Sequence, residues 1–430
     1  MANREGSETR DHVSVEITED ALVSSIKEKM EAVCASVCIS RVPAELRKGN
    51  EKTYIPDKVS IGPFHHGKDT LSAMEDLKWR YLYYVLNRKP NLEASMDGCV
   101  KVLREMEHRA RRCYSETINL TSNQFVQIML LDGCFIIELF FKNACKSLRR
   151  RSDPIFSTPG MFVDIMYNLI LLENQIPYFV LQRLFQIIPI PRQCSLSLNE
   201  LAFRFFKNMM QGDRQALWEK FDLEGNHLLD MIRHCFHPTY PRQQPKYEMQ
   251  QGLDCATGLQ KAGIRLKKAN TKNLLDVKFV NGVLEIPPLR IHKNTETLFK
   301  NLIGYEQRHC ENTQHITSYA FLMGNLICSK KDVKLLGRQN ILISDRDEEK
   351  EVSQLFMKLC RDEKVKDFYY AGLFERVSEY RRIGWHVSWQ KLKGNPSAKL
   401  MLFIVAILLL ALTFIGSLFS VISFFLHHGK

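Results

Sequence analysis

No Walker phosphate loop, no GxGxxG after a strand, no GxSxG elbow, no HExxH and no paired CxxC occurs in the 430 residues. Each of these patterns carries a definite chemistry: backbone N–H groups that cradle phosphate, a strained serine nucleophile, zinc held on one helix face, a dithiol. Without them the chain is expected to be no enzyme, with no catalytic, cofactor-binding or metal-ligating residues. The first twenty residues, MANREGSETRDHVSVEITED, lack the apolar run of a secretory leader, so none is expected to carry the body across a membrane. Basic residues outnumber acidic ones, giving a formal net charge of +12, but they fall in scattered clusters: Arg109, Arg111 and Arg112; Arg149 to Arg151; Lys267 and Lys268; Lys330, Lys331 and Lys334. These lack interleaved aromatics or a reading helix, which argues against nucleic acid. Beside an anionic leaflet the same surplus helps a protein lie near the surface. The 12 cysteines are too dispersed for the disulfide framework of a small secreted domain and are expected as mostly reduced, buried thiols. Cys34 and Cys38 share a helical face, but no second pair completes a zinc set.

Leu400 to Leu426 runs for 27 residues without a charge. As a helix it would be about 40 Å long, more than the roughly 30 Å of a bilayer's hydrocarbon core. One transmembrane helix is therefore expected at 400–426. Arg381, Arg382, Lys391, Lys393 and Lys399 precede it and Lys430 alone follows, which favours a cytosolic body on a tail-anchored chain, at the plasma membrane. Ala406, Thr413, Gly416, Ser417, Ser420 and Ser423 fall on one face of this helix. Small residues let helices approach closely in lipid, so this face is the candidate for homo-oligomerisation.

About 400 residues precede the anchor, enough for two lobes, with 45% apolar and 25% charged residues, as in a folded globular chain. Residues 1–37 read as a polar tail and an amphipathic helix from Ile17 to Val37. Residues 38–236 read as a helical lobe. It opens on RVPAELRKGNEKTYIPDKVSIGPFHHG, where Pro43, Pro56 and Pro63 break helices and Gly62 and Gly67 permit turns. An extended segment with one short strand at Lys58 to Ile61 is expected, pinned across the body by Tyr54, Ile55, Val59, Ile61 and Phe64. His65 and His66, adjacent in an extended chain, point to opposite faces and make a poor metal pair. Ser72 with Glu75 reads as a capping box for a helix to about Arg88, followed by a helix whose core seam runs from Leu92 to Cys113.

Thr121 with Gln124 caps a nearly apolar helix over Phe125 to Phe141, too short and too charged for a confident span. Gln124, Gln127, Glu138 and Lys142 form one stripe expected to reach solvent or a polar seam, and Asp132 off that stripe needs a partner, Asn143 or an arginine. Thr158-Pro159 is expected to open an apolar helix to Ile176, kinked or ended by Pro177, with Glu173 to Pro177 as a polar bend. Ser197 with Glu200 caps the next helix, and His227 to Phe236 forms the last helix of the lobe, its three histidines 227, 234 and 237 lacking a closed ligand set. Residues 237–252, rich in proline and glutamine, read as a linker loop. Residues 253–394 read as a second lobe. It has a short helix at Ala256 to Ala262, a strand at Ile264 to Leu266, and an antiparallel hairpin turning at Asn281-Gly282. Helices follow at Thr297 to Arg308, His315 to Cys328, Glu348 to Arg361 and Asp367 to Ile383. The fold class expected is mainly α-helical (α+β): a large helical body, a small antiparallel sheet and one C-terminal transmembrane helix.

The run Arg41-Val42-Pro43, Pro56, Val59-Ser60-Ile61-Gly62-Pro63, His65-His66-Gly67, Met74-Glu75, Lys78 and Arg80-Tyr81-Leu82 resembles the signature of the plant domain of unknown function 247 family. Leu172-Glu173-Asn174-Gln175-Ile176-Pro177, Leu274 to Phe279, Gly282-Val283-Leu284 and Asn301-Leu302-Ile303 with Tyr305-Glu306 extend the similarity over about residues 38–426. Ser40 stands where the family more often shows an aromatic, and Ser397 where tryptophan is frequent. The resemblance implies a single-pass plant membrane protein without established enzymatic activity, some grass members being implicated in pollen-stigma self-incompatibility. On that basis a recognition or signalling protein with an unidentified protein partner is expected. A membrane-tethered hydrolase or transferase with an inter-lobe cleft is the alternative. A cleft with convergent His, Asp or Glu would favour the alternative; a broad apolar surface would favour recognition. Cell-surface action would reverse the orientation read from charge, and Asn119-Leu120-Thr121 would then be a glycosylation candidate, although Thr121 is equally well explained as a helix cap.

Overall fold

A computed structural model describes residues 37–88, 92–246, 252–271, 273–310, 313–344, 349–360, 365, 368–382 and 396–428. The tail and nearly all of the amphipathic helix expected up to Val37 lie outside these residues, as does part of the linker.

The helical part is built around α5 (Ser122–Ala144), whose side chains from Phe125 to Lys142 are buried apart from Gln127. The Thr121–Gln124 capping box starts it as the sequence predicts. It is long and apolar enough to cross a membrane, yet the body covers it, as a central core helix requires. Around it pack α3 (Ser72–Leu86), α4 (Leu92–Arg112), α8 (Tyr178–Ile187) and α9 (Leu198–Phe206). The polar stripe expected on α5 divides. Gln124 and Gln127 are exposed, whereas Glu138 and Lys142 are buried, neutralised by Arg88 and by Asp153 at 2.7 Å. The Ser197–Glu200 box is present on α9. The box expected on α3 is not: Ser72 Oγ donates to the Asp69 carbonyl, and Glu75 turns to Lys78 instead.

Short helices α1 (Ala44–Arg47) and α2 (Glu51–Tyr54) interrupt the proline-rich opening, and no strand forms at 58–61. The helix expected from Thr158 to Ile176 is instead α6 (Pro154–Ser157) and α7 (Met161–Asn168), ending well before Pro177. Residues 169–177 are irregular because their backbone groups are satisfied by side chains, as described below. α10 (Arg214–Phe221) and α11 (Leu228–His234) complete this half.

After α12 (Ala256–Lys261) come β1 (Arg265–Lys268), β2 (Lys278–Val280) and β3 (Val283–Ile286) in the order β1-β3-β2. Asn281 and Gly282, with φ of 49° and 74°, make the two-residue hairpin turn between β2 and β3. The sheet is mixed, not antiparallel throughout, since β1 pairs with β3 in parallel, Arg265 opposite Val283. A second parallel pair joins β4 (Leu289–Ile291) to β5 (Leu342–Ser344). The remaining helices are α13 (Thr295–His309), α14 (His315–Leu326), α15 (Lys330–Arg338), α16 (Glu349–Cys360), α17 (Ala371–Arg382) and α18 (Pro396–His428). α15 absorbs the basic cluster at 330–334, burying Val333 and Leu336 on its inner face. One connected apolar core runs from Cys38 to Val377.

Candidate functional site

The signature strap, residues 38–67, lies against residues 168–177, and the two irregular segments satisfy one another. Asn168 caps three consecutive N–H groups, those of Asp57, Lys58 and Val59, through Oδ1 at 3.0–3.2 Å. Asn174 accepts the Ile61 N–H at 2.7 Å and donates to the Val59 carbonyl at 3.0 Å. Gln175 Nε2 bridges the carbonyls of Leu169 and Leu171 at 2.8 Å. A chain segment with no ladder partner must still pair its buried amides, and here carboxamides take the place of a neighbouring strand. Gly62 is required: its φ is +73° and a Cβ there would run into the Gln175 carbonyl oxygen.

Two buried charges tie the strap down. Asp132 Oδ2 accepts the Gly62 N–H at 2.7 Å and Oδ1 meets Lys78 Nζ at 2.7 Å. Lys78 also donates to the Ser60 carbonyl and to Glu75. Lysine from α3, not Asn143 or an arginine, is thus the partner of Asp132. Burial pushes the Asp132 carboxyl up in spite of that ammonium. Glu173 Oε1 accepts the Val42 N–H at 2.8 Å and pairs with Arg47, while Oε2 stands 3.2 Å from His65 Nε2 and 3.6 Å from Arg41. Burial works to raise the Glu173 carboxyl, but His65, the Val42 N–H and Arg47 together hold it below its ordinary value. Burial in turn lowers His65. His65 is buried and His66 exposed, in a stretch of turns and not the extended chain expected. Arg41 also reaches Glu116 at 2.9 Å and lies 4.5 Å over the Phe64 ring. Met74 and Pro56 are buried, Pro43, Pro63 and Glu75 half-buried, and Gly67 turns at φ +77° in the open.

A second polar cluster surrounds α11. His227 Nδ1 accepts the Asp230 N–H at 3.2 Å and its Nε2 lies 3.0 Å from the Cys38 carbonyl, so both ring nitrogens serve the backbone. Burial brings its pKa down to about 4. Asp230 holds Arg233 at 2.9 Å and accepts the Asn226 N–H at 3.0 Å; these contacts and His227 outweigh burial and bring the carboxyl to about 2. Arg233 Nη1 meets His237 Nε2 at 2.7 Å, and burial followed by that guanidinium takes His237 to about 3. On α13, Glu306 accepts the N–H groups of Ile316 and Thr317 and the Thr317 hydroxyl at 2.8–2.9 Å, yet burial leaves it at about 7. Among the described residues no group of three His, Cys, Asp or Glu is placed to hold a metal ion.

A groove of about 290 Å³ opens beside this cluster, walled by Tyr240, Asp276, Phe279, Tyr369, Tyr370 and Arg376. Asp276 is spent on the Thr239 N–H at 2.8 Å, and Tyr370 donates to the Leu275 carbonyl at 2.6 Å. The groove therefore offers aromatic surface and cations, with its carboxylate engaged by backbone.

On α18, Ala406, Thr413, Gly416 and Ser417 are exposed, but their polar atoms are satisfied at home: Thr413 Oγ1 bonds to the Leu409 and Leu410 carbonyls and Ser417 Oγ to the Phe414 carbonyl at 2.9–3.0 Å. A Cβ on Gly416 would meet nothing within 4 Å. The side chains of Ser420 and Ser423 lie outside the described residues.

Sequence reasoning anticipated that Asp132 is buried and that Glu173 to Pro177 is a polar bend; it missed Asn168, which apolar periodicity places inside one longer helix. No solved structure matches the chain. An Arabidopsis thaliana protein named UPF0481 protein At3g47200 is 31% identical over 381 residues, covering 82% of this chain and 79% of that one. A second, putative UPF0481 protein At3g02645 of the same plant, is 23% identical over 88% of this chain and 90% of its own length. The model of the DUF247 family, described as plant protein of unknown function, matches residues 39–414, a span that takes in the strap, the polar junction and most of the described helices, and the chain belongs to that family.

Proposed function

We propose that this is a single-pass membrane protein whose helical body recognises a protein partner or passes on a signal and does not turn over a substrate. The observation that carries the anchoring is α18: Phe403 is 64% exposed, Leu410 70% and Phe419 69%, with every described side chain between them exposed. No described residue covers this apolar shell, and at roughly 25 cal/mol per Å² its exposure to water would cost many kcal/mol. Lipid is the solvent it suits, and a helix satisfies its own backbone there.

Support for a non-enzymatic role comes from how the buried titratable groups are used. Glu173, Asp132, Asp230 and Glu306 each accept backbone N–H groups, and His227 caps a helix, so they are fixtures of the fold and none is aimed at the groove. General acid–base work needs a group within reach of a bound substrate and free to exchange its proton. Alkaline carbonate extraction of membranes bearing the full-length chain tests the anchoring. The protein is expected to stay with the pellet, and a chain ending at residue 395 is expected in the supernatant. Release of the full-length chain would overturn the reading.

A further inference from the structure

Two pairs of cysteines that are distant in sequence lie side by side. Cys38 opens the strap and Cys113 follows α4. The N–H groups of Cys38 and Ile39 both donate to the Cys113 carbonyl, at 3.0 and 2.9 Å, and Ser115 N–H donates to the Ile39 carbonyl at 2.9 Å, forming a parallel bridge between Ile39 and Tyr114. The 3.0 Å contact between the Cys38 N–H and the Cys113 carbonyl keeps the two Cα atoms within the roughly 4.4–6.8 Å that a disulfide bridges. The two thiols are in hydrogen-bonding contact. Cys145 ends α5 and Cys194 lies in the loop after α8; Cys145 Sγ is 3.7 Å from the Gln193 carbonyl, and its thiol is in hydrogen-bonding contact with that of Cys194.

We propose that Cys38 with Cys113, and Cys145 with Cys194, close as disulfides in the mature protein, and that the body therefore matures in an oxidising compartment, opposite to the side that the basic flank of the anchor suggests. Such bonds persist in the secretory lumen and outside the cell and are rare in cytosol. The pairing does not depend on the membrane-anchored reading; the sidedness does.

The chemistry is thiol–disulfide exchange with an oxidant that is itself a disulfide. One cysteine thiolate attacks the oxidant, forming a mixed disulfide and expelling one thiolate. The second cysteine then attacks the first cysteine's sulfur and expels the other half. Two electrons pass to the oxidant, which leaves as two thiols carrying the two protons. In the exposed pair Cys145 is the attacking thiol, being half-exposed where Cys194 is buried. In the other pair the Cys38 hydrogen bond, with Arg109 and against burial, lowers the Cys113 thiol and favours it as the attacking sulfur. Both of these residues are buried, so that bond closes while the chain folds.

Asn119 supplies an independent reporter, since it is exposed in the loop before α5 and begins Asn119-Leu120-Thr121. The test uses the full-length chain expressed in plant cells, lysed in excess N-ethylmaleimide, digested and mapped by mass spectrometry before and after reduction. Joined 38–113 and 145–194 peptides are expected before reduction and lost after it. Cys235, whose thiol donates to the Leu217 carbonyl at 3.4 Å, is the internal control and should be alkylated on unfolding without reduction. Maleimide on all four cysteines without reduction overturns the pairing. In Cys145→Ser, Cys194 should become alkylated while the 38–113 peptide persists, a readout that survives if one bond alone is lost. A glycosidase-sensitive band shift absent from Asn119→Gln is expected; both bonds without that shift refute the lumenal placement. Carbonate extraction of the same sample separates the two readings, because bonded protein that washes off refutes anchoring and leaves the pairing standing.

Discussion

Lys78→Met is the sharpest probe of the junction. Lys78 is wholly buried on α3, and its ammonium lies 2.7 Å from both Asp132 Oδ1 and Glu75 Oε1 while donating to the Ser60 carbonyl. Methionine keeps the length and apolar volume but leaves the Asp132 carboxylate, 2% exposed, with the Gly62 N–H as its remaining recorded donor and the Ser60 carbonyl without its own. Removing one partner of a buried pair costs about 3–5 kcal/mol. Adding Asp132→Asn removes the stranded charge, and its carboxamide oxygen still accepts the Gly62 N–H. The double variant should then sit within about 2 kcal/mol of the parent, since replacing both members is far milder than replacing one. The assay is urea unfolding of the full-length chain in detergent, followed by tryptophan fluorescence. Asp132 also gives the single variant a pH signature. Its folded pKa is raised, so the folded state binds the proton more tightly than the unfolded one and stability falls as pH rises. Loss of Lys78 takes away the opposing charge, so the defect of Lys78→Met should shrink on acidification from pH 7.5 to 5. Equal destabilisation of the single and double variants at both pH values would refute the account.

Glu306 should give the fold a second pH dependence. With a folded value of about 7 against an ordinary 4.5, it binds its proton more tightly when folded, so its contribution is fully present below pH 4.5 and is lost as pH rises through 7. The change is worth on the order of 3 kcal/mol. Glu306→Gln should flatten that part of the stability profile between pH 5 and 7.5, measured by thermal melts in one detergent; an unchanged slope would remove Glu306 as its source. For α18, we propose self-association through the face bearing Gly416. The double variant Gly416→Ile with Ser420→Ile should abolish dimer crosslinking in membranes, since the open space over Gly416 is where a second helix would approach. Unchanged crosslinking would count against that face.

What the sequence discloses and what it hides follow from the reach of the interactions. The capping boxes at Thr121 and Ser197 join residues three apart, and the Asn281-Gly282 turn depends on two adjacent residues that tolerate positive φ; all are legible in the sequence. The charge-free run at 400–426 is legible for the same reason. The course of residues 169–177 is not. Asn168 reaches back more than a hundred residues to three N–H groups of the strap, Asn174 does the same for Ile61, and Asn301 accepts the Leu172 N–H at 2.8 Å from α13. Apolar periodicity through Met161 to Ile176 points to one helix, but the helix stops at Asn168, and beyond it the side chains of Asn301 and Gln175 hold the backbone at Leu169, Leu171 and Leu172. The strand expected at 58–61 fails by the same trade, its amides being claimed by carboxamides before any strand could pair with them. Asp132 shows the limit most clearly. Its burial is evident from its apolar neighbours and its need for a cation follows from physics, yet choosing Lys78 over an arginine requires knowing that α3 packs on α5 with residue 78 facing inward, which the seam of Leu77, Tyr81, Leu82 and Val85 suggests but does not fix. The strap is thus an irregular segment held as firmly as a strand by side chains from elsewhere, and its prolines, glycines and histidines mark the places where the backbone must turn to meet them.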